Sequence, residues 1–151
     1  PGLRGYVVVV VRLPAMVRMA AMMRPALDHA REEARRMNCA GNLRQIGLAS
    51  IMYAGDDVEH GRFPDNLGQL HEQKYLMNGK VYGCPSAPVP AITAAGSDYT
   101  YLGSGLKLFD TPTQTVVAYC DNHDNWIHVL YVHGNVKGFK GHTIEDTGAG
   151  G

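Results

Sequence analysis

The chain has 151 residues, of which 45% are hydrophobic and 19% are charged. This length and composition indicate one globular domain with a modest core rather than a disordered chain. Fourteen basic and fourteen acidic side chains leave no net charge at pH 7, so no bulk attraction to nucleic acid is expected. The chain starts with Pro1 rather than Met, which indicates a processed product or a gene fragment.

The first segment, 6–27, is almost wholly apolar, but three arginines interrupt it. A membrane-spanning helix needs about 20 apolar residues, and an arginine near its centre costs about 2.5–3.5 kcal/mol. Arg12, Arg18 and Arg24 recur at intervals of six residues, so the three do not share one polar helix face. As written, the segment is a poor transmembrane helix, and no small-x-small cleavage site marks it as a signal peptide.

The next segment, 27–53, has the periodicity of an amphipathic helix. Two sets of side chains recur at the 3-4-3 spacing of one helix face, on either side of the small residues 39–41. The sets are Leu27, Ala30, Ala34 and Met37, then Leu43, Ile46, Ser50 and Tyr53. Asp28 with Arg31, and Glu32 with Arg36, are placed for solvated ion pairs of about 0.2–0.5 kcal/mol each. On these residues alone, an ordinary amphipathic helix packed on a sheet remains an open interpretation.

From residue 55 onward, short apolar runs alternate with Gly, Pro, Asn and Asp, which is typical of strands and loops. The predicted strands are 97–102, 115–120, 126–132 and 135–139. His133-Gly134 is predicted to form a two-residue type I′ hairpin turn, while the buried face of the strand 126–132 stays undecided. A helix followed by strands predicts an α+β fold, with a helical part, 1–54, and a β-rich part, 55–151, of one domain.

Residues 120–133 concentrate side chains that bind metals in other proteins. They are Cys120, Asp121, His123, Asp124, His128 and His133. His and Cys suit zinc, and Asp and Asn suit calcium. Their spacing matches no standard metal motif, so a polar hairpin loop at 121–125 is the simpler interpretation. Since no nucleophile–base set or phosphate-binding glycine loop has a recognisable context, we expect no enzyme.

Ordered sequence blocks between residues 25 and 139 follow the pattern of a known family. The first is Pro25-Ala26-Leu27 with AREEARRMNCAGNLRQIGLASIMYA (30–54). The later blocks are RFPDNLGQL (62–70), VYGCPSAP (81–88), SDYTYLGSGL (97–106), TPTQTVVAYCDNHDN (111–125) and NWIHVLYVHGNVKGF (125–139). Together they resemble type IV pilin-like proteins, and most closely the pseudopilin-like proteins of type II secretion. Before Pro25 the chain departs from that pattern, since the family's acidic residue is missing and no leader with a glycine cleavage site is recognisable in the sequence.

The resemblance implies a pilin-like fold, in which a long N-terminal α-helix packs on a small antiparallel sheet. It implies a filament subunit of a type II secretion or type IV pilus-like system, anchored in the bacterial inner membrane by its N-terminal helix and extending into the periplasm or to the cell surface. Its partners would be copies of itself, other pilin-like subunits and an inner-membrane assembly platform. The assembly helix would use Pro25, Leu27, Ala30, Ala34 and Met37. A membrane-anchored binding module that keeps this fold and holds an extracellular ligand is the alternative.

The same resemblance bears on the three cysteines and on calcium. The family often carries cysteines in its first two motifs, which implies a Cys39–Cys84 disulfide worth about 4 kcal/mol in a periplasmic setting. Three buried free thiols are the alternative, because an odd count leaves one cysteine unpaired in any case. Major pseudopilins use a calcium-binding loop in their C-terminal region, which implies Asp121 and Asp124 as calcium ligands. No other cofactor is expected.

Overall fold

The computed structural model describes the backbone of residues 3–147 and the side chains of residues 23–145. Its main elements are α1 (Leu3–Asp56), α2 (Leu67–Glu72), β1 (Thr100–Tyr101), β2 (Val116–His123), β3 (Trp126–Tyr131) and β4 (Val136–Phe139). Short 3-10 helices occupy Gly79–Tyr82, Ala94–Gly96 and Ile144–Thr147. The chain forms two compact units, Pro1–Ala34 and Arg35–Gly151. Within the described residues, no helix combines the length and apolar character needed to cross a membrane.

The sheet is antiparallel throughout, with strand order β1-β2-β3-β4. The helix-then-sheet order confirms the predicted α+β class. Strand β1 is shorter than the predicted 97–102 because residues just before it bind a neighbouring loop instead of a strand. Ser97 Oγ donates to the carbonyl of Tyr82, and one carboxylate oxygen of Asp98 accepts the N–H groups of Cys84 and Ala91.

The turn between β3 and β4 differs from the predicted type I′ turn. The Tyr131 N–H donates to the Asn135 carbonyl at 3.0 Å, and the Gly134 N–H donates to the Tyr131 carbonyl at 2.8 Å. The loop therefore has three residues, 132–134, and only its last residue needs a left-handed backbone. Gly134 supplies it with φ of +80°, which is the usual position of glycine in a three-residue hairpin.

The core forms where the second half of α1 packs against the sheet. Leu43, Ile46 and Ser50 are fully buried and Tyr53 is half-buried, as the second periodic set predicted. Ser50 is tolerated there because its hydroxyl donates to the Ile46 carbonyl at 2.8 Å, the i−4 bond open to a helical serine.

Strand β3 is buried on both faces, which explains why its alternation was ambiguous. Leu130 joins the main core with α1, whereas Ile127, Val129 and Tyr131 form a second cluster with Val116. A central strand covered on both sides needs apolar side chains at successive positions. The sequence left undecided which face of the strand 126–132 is buried, and in the structure both faces are buried.

The stretch of α1 at 23–38, called here its first half, has a different environment from the stretch at 39–54, called its second half. All the apolar side chains described at 23–38 are exposed, including Met23 at 67%, Leu27 at 53% and Met37 at 75%. The predicted Asp28–Arg31 ion pair is present at 3.4 Å, with both side chains more than half exposed. This stretch of helix contributes nothing to the core within the described residues.

Candidate metal centre

Four side chains from three distant parts of the sequence meet inside the second compact unit. Cys39, Cys84, Cys120 and His123 bring one potential ligand atom each to within 4.8 Å of all the others. The cysteines are 0% exposed and His123 is 3% exposed. The Cys84 Sγ lies 3.6 Å from the His123 Nε2. Among the described residues, this is the one group of at least three His, Cys, Asp or Glu close enough to share an ion.

A bulge in β2 explains how Cys120 and His123 come to the same side. Cys120 pairs with His128, whereas His123 pairs with Trp126, so β2 uses one more residue than β3 between these two pairs. In a regular strand, side chains three apart point to opposite faces. The extra residue in β2 reverses that relation and turns the His123 imidazole toward the cysteine sulfurs.

Cys84 sits on a loop whose backbone is fixed by several hydrogen bonds. The Gly83 carbonyl accepts the Tyr99 hydroxyl at 3.0 Å and the Asn42 side-chain amide at 3.1 Å. The Cys84 N–H donates to the Asp98 carboxylate at 2.9 Å, and the Cys84 carbonyl accepts the Ala87 N–H at 3.0 Å. The Asn42 contact also ties this loop to α1, three residues after Cys39.

The thiols perturb one another strongly. The pKa of Cys84 is lowered because hydrogen bonds from the Cys120 and Cys39 thiols stabilise its thiolate, with a smaller contribution from His123. The pKa of Cys39 is raised, first by its hydrogen bonds to Cys120 and Cys84 and then by burial. A backbone hydrogen bond from Ser86 also contributes to the lowered pKa of Cys84.

His128 lies against His123, and Trp126 lies against His128. The rings of His123 and His128 meet edge to face with centroids 5.2 Å apart. The Trp126 Nε1–H donates to the His128 Nε2 at 3.1 Å, so His128 carries its proton on Nδ1 when neutral. Burial lowers the pKa of His128 to about 4, which keeps it neutral near pH 7. Its Nδ1 is buried with no hydrogen-bond partner in the described part of the chain.

Arg36 packs against Trp126, next to this group of rings. Its guanidinium carbon lies 5.2 Å from the centre of the Trp126 ring, within the range of a cation–π contact. One of its nitrogens donates to the Asp124 carbonyl at 2.9 Å. Arg36 thereby links α1 to the β2–β3 turn, one helical turn before Cys39.

The structure brings together only part of the residue set named from the sequence. Cys39 and Cys84 are adjacent but are free thiols, as is Cys120, so their pairing in a disulfide stays a prediction. Asp121 and Asp124 are exposed and do not belong to the buried cluster, and calcium binding by them also stays a prediction. The expected loop at 121–125 is shorter than predicted, because β2 continues to His123 and only Asp124 and Asn125 form the turn.

A separate polar cavity of about 450 Å³ lies beyond the C-terminal end of α1. Its lining residues are Tyr53, Asp56, Asp57, Arg62, Phe63, Asp65, Gln73 and Tyr75. The Tyr75 hydroxyl donates to the Asp56 carboxylate at 2.5 Å, and this bond is the first cause of the raised pKa of Tyr75. The cavity is open and rich in carboxylates, unlike the closed cysteine cluster.

Comparison with known proteins gives one partial match. Residues 28–69 match the model of a family described as "Protein of unknown function (DUF1559)". The matched region contains the second half of α1, including Cys39, and ends within α2. No curated protein and no solved structure matches the chain.

Proposed function

We propose that this chain is a non-catalytic, pilin-like subunit that assembles through α1 into a filament of a type II secretion or type IV pilus-like system. Its partners are further copies of itself, other pilin-like subunits and an inner-membrane assembly platform. The assembled filament lies in the periplasm or at the cell surface, and the start of α1 is its anchor in the membrane.

The observation that carries this proposal is the unused apolar surface of α1. A helix that is apolar on part of its surface normally buries that part against its own core. Here Leu27 and Met37 are mostly exposed, and Pro25, Ala30 and Ala34 beside them are exposed as well. Small side chains between large ones allow two helices to approach closely. Equivalent helices of neighbouring subunits would cover this surface in a filament.

The family match supports the same proposal from the sequence side. It covers residues 28–69 and so includes most of the helix block on which the resemblance to pilin-like proteins rests. The α+β fold agrees with that resemblance, since the end of α1 packs on a small antiparallel sheet.

The proposal is tested by placing a charge on the exposed stretch of α1. Leu27→Asp and Met37→Asp, made together, should abolish self-assembly measured by light scattering and electron microscopy. Their thermal midpoint should stay close to that of the unmodified chain, because neither side chain contributes to the core.

Val89→Asp is the matched control, since Val89 is an equally apolar side chain that is 84% exposed and lies outside α1. It should assemble like the unmodified chain. Assembly that survives both charges on α1, or that is lost equally with Val89→Asp, would contradict the helix-driven model.

A binding module with the same fold is the second candidate, and the polar cavity beside Tyr75 favours it. Its carboxylates suit a cationic or hydroxyl-rich ligand. Asp56→Asn and Asp65→Asn should then weaken binding of such ligands, screened by thermal shift, without affecting assembly. Under the first candidate the same pair of substitutions leaves the ligand screen unchanged.

A further inference from the structure

We propose that Cys39, Cys84, Cys120 and His123 bind one zinc ion, which fastens α1, the loop at 83–87 and β2 to one another. This goes beyond the filament role, because it concerns how the globular unit is held together. It does not depend on that role, and a protein of either candidate function would contain the same site.

The donor set is the first argument. Three cysteine sulfurs and one imidazole nitrogen form one of the standard ligand sets of structural zinc. Soft thiolate ligands select against calcium and magnesium, which take oxygen ligands. No open position is left for water when all four side chains bind, so the site is structural rather than catalytic.

The distances are the second argument. Zinc bonds of about 2.3 Å to sulfur and about 2.0–2.1 Å to nitrogen place sulfur and nitrogen about 3.5 Å apart in a tetrahedron. Two sulfurs in the same tetrahedron are about 3.8 Å apart. The Cys84 Sγ and His123 Nε2 are 3.6 Å apart, and all four ligand atoms lie within 4.8 Å of one another. Only small side-chain adjustments separate this arrangement from a zinc tetrahedron.

The surroundings are the third argument. A metal site needs neighbouring groups that orient its ligands, and here such groups are already in place. The Asp98 carboxylate and the Gly83 hydrogen bonds fix the Cys84 backbone. The Asn122 amide lies 3.8 Å from the Cys120 sulfur as a donor. The His128 ring holds the His123 ring edge to face.

Neither simpler explanation accounts for all four side chains. Cysteines alone fill a core as small apolar residues, but that explanation does not account for the histidine that the bulge turns toward the three sulfurs. A Cys39–Cys84 disulfide leaves the Cys120 thiol and the His123 imidazole buried beside it. Zinc uses all three sulfurs and the imidazole, and its binding releases the thiol protons to solvent.

The first test uses the full chain, purified under reducing conditions without chelator. Elemental analysis should find one zinc per chain. Cobalt(II) loaded in place of zinc should show the thiolate-to-cobalt charge-transfer bands and the intense d–d bands of a tetrahedral site. Excess zinc should raise the thermal midpoint, because it binds the folded state preferentially. Absence of bound metal, or an octahedral cobalt spectrum, would overturn the proposal.

The second test uses variants with matched controls. His123→Gln and Cys84→Ser should each weaken zinc binding by more than about 100-fold, since loss of a ligand exceeds the 10–100-fold cost of losing an outer-shell partner. His133→Gln, at an exposed histidine, should retain normal zinc affinity. The double substitution Asp121→Asn and Asp124→Asn should retain it too.

If a variant fails to fold, alkylation of the unmodified chain still tests whether the three cysteine sulfurs bind zinc. Bound zinc should protect all three cysteines from alkylation, and a chelator should make all three react together. A Cys39–Cys84 peptide linkage with Cys120 alone reactive would establish the disulfide and overturn the zinc site. Zinc affinity that survives in both His123→Gln and Cys84→Ser would place the metal elsewhere and would also overturn it.

Discussion

The two halves of α1 lie in opposite environments. At 23–38 the apolar side chains are exposed, whereas at 39–54 a continuous face is buried, beginning with Cys39 and including Leu43 and Ile46 at 0% exposure. Both halves show apolar or small residues at the same helical spacing. Periodicity therefore identifies the helix and its face, but it does not identify what covers that face.

The difference between the halves lies in what the rest of the chain supplies. The second half packs in one core cluster with residues of the sheet such as Val117 and Leu130. The apolar side chains described at 23–38 are exposed instead. Under the proposed function, one half of the helix contributes to folding and the other to assembly.

Substitution of matched leucines gives the largest expected effect. Leu43→Ala should lower the free energy of unfolding by about 2–5 kcal/mol, because it removes a fully buried side chain and leaves a cavity. Leu27→Ala should change it by no more than about 0.5 kcal/mol, since an exposed side chain has little burial to lose. Urea unfolding monitored by circular dichroism measures both values.

Equal losses for the two leucines would contradict the contrast between the halves of α1. A large loss for Leu27→Ala alone would show that the first half is packed in solution. A loss that appears only at high protein concentration would instead indicate that assembly covers Leu27.

Two glycines in the second half of α1, Gly41 and Gly47, differ in how closely the rest of the chain approaches them. A Cβ at Gly47 would lie 2.6 Å from a Leu130 methyl carbon and 3.3 Å from the Gly134 Cα, whereas a Cβ at Gly41 would meet nothing within 4 Å. Alanine improves helix propensity by about 1 kcal/mol, and overpacking costs about 1–3 kcal/mol. Gly41→Ala should therefore stabilise the protein, and Gly47→Ala should destabilise it by about 1 kcal/mol.

The two glycine substitutions should change the free energy of unfolding in opposite directions. The same unfolding measurement applies to both variants, and each serves as the control for the other. Stabilisation by both would mean that α1 does not approach the β3–β4 turn as closely as the structure shows.

The helix, the α+β class and the approximate positions of β3 and β4 were predictable, because each depends on local patterns. The failures arose where tertiary contacts override those patterns. Strand β1 is short because Ser97 and Asp98 bind the loop before it, and β2 is long because a bulge carries it to His123. The turn has three residues, 132–134, instead of the predicted two, and only Gly134 in it has a left-handed backbone.

The candidate site was half predictable. Cys39 and Cys84 were expected to be neighbours through the resemblance, and Cys120 and His123 were noticed as potential ligands. Nothing in the sequence joined the two pairs, because strand alternation places Cys120 and His123 on opposite faces. The odd number of cysteines with a nearby histidine was the available signal, but a bulge is visible only when the partner strand is known.

The smallest expected effect concerns two ion pairs, one from each environment. Asp57 follows the packed half of α1, and its carboxylate accepts both the side chain and the backbone N–H of Arg62, at 3.2 and 3.3 Å. The Arg62 side-chain hydrogen bond is the main reason why the pKa of Asp57 lies below its usual value of 3.8. Asp28 and Arg31, in the unpacked half, form a single 3.4 Å contact with both side chains 63–72% exposed.

A depressed folded-state pKa stabilises the protein above the unfolded pKa, and the benefit is lost as the pH falls through the folded value. Arg62→Gln should therefore lower the thermal midpoint slightly near pH 7, and its difference from the unmodified chain should shrink as the pH falls below about 4. Arg31→Gln should have no measurable effect at either pH, because exposed pairs contribute little. A midpoint difference for Arg62→Gln that stays constant from pH 7 to pH 3 would show that Arg62 acts through packing and not through the Asp57 charge.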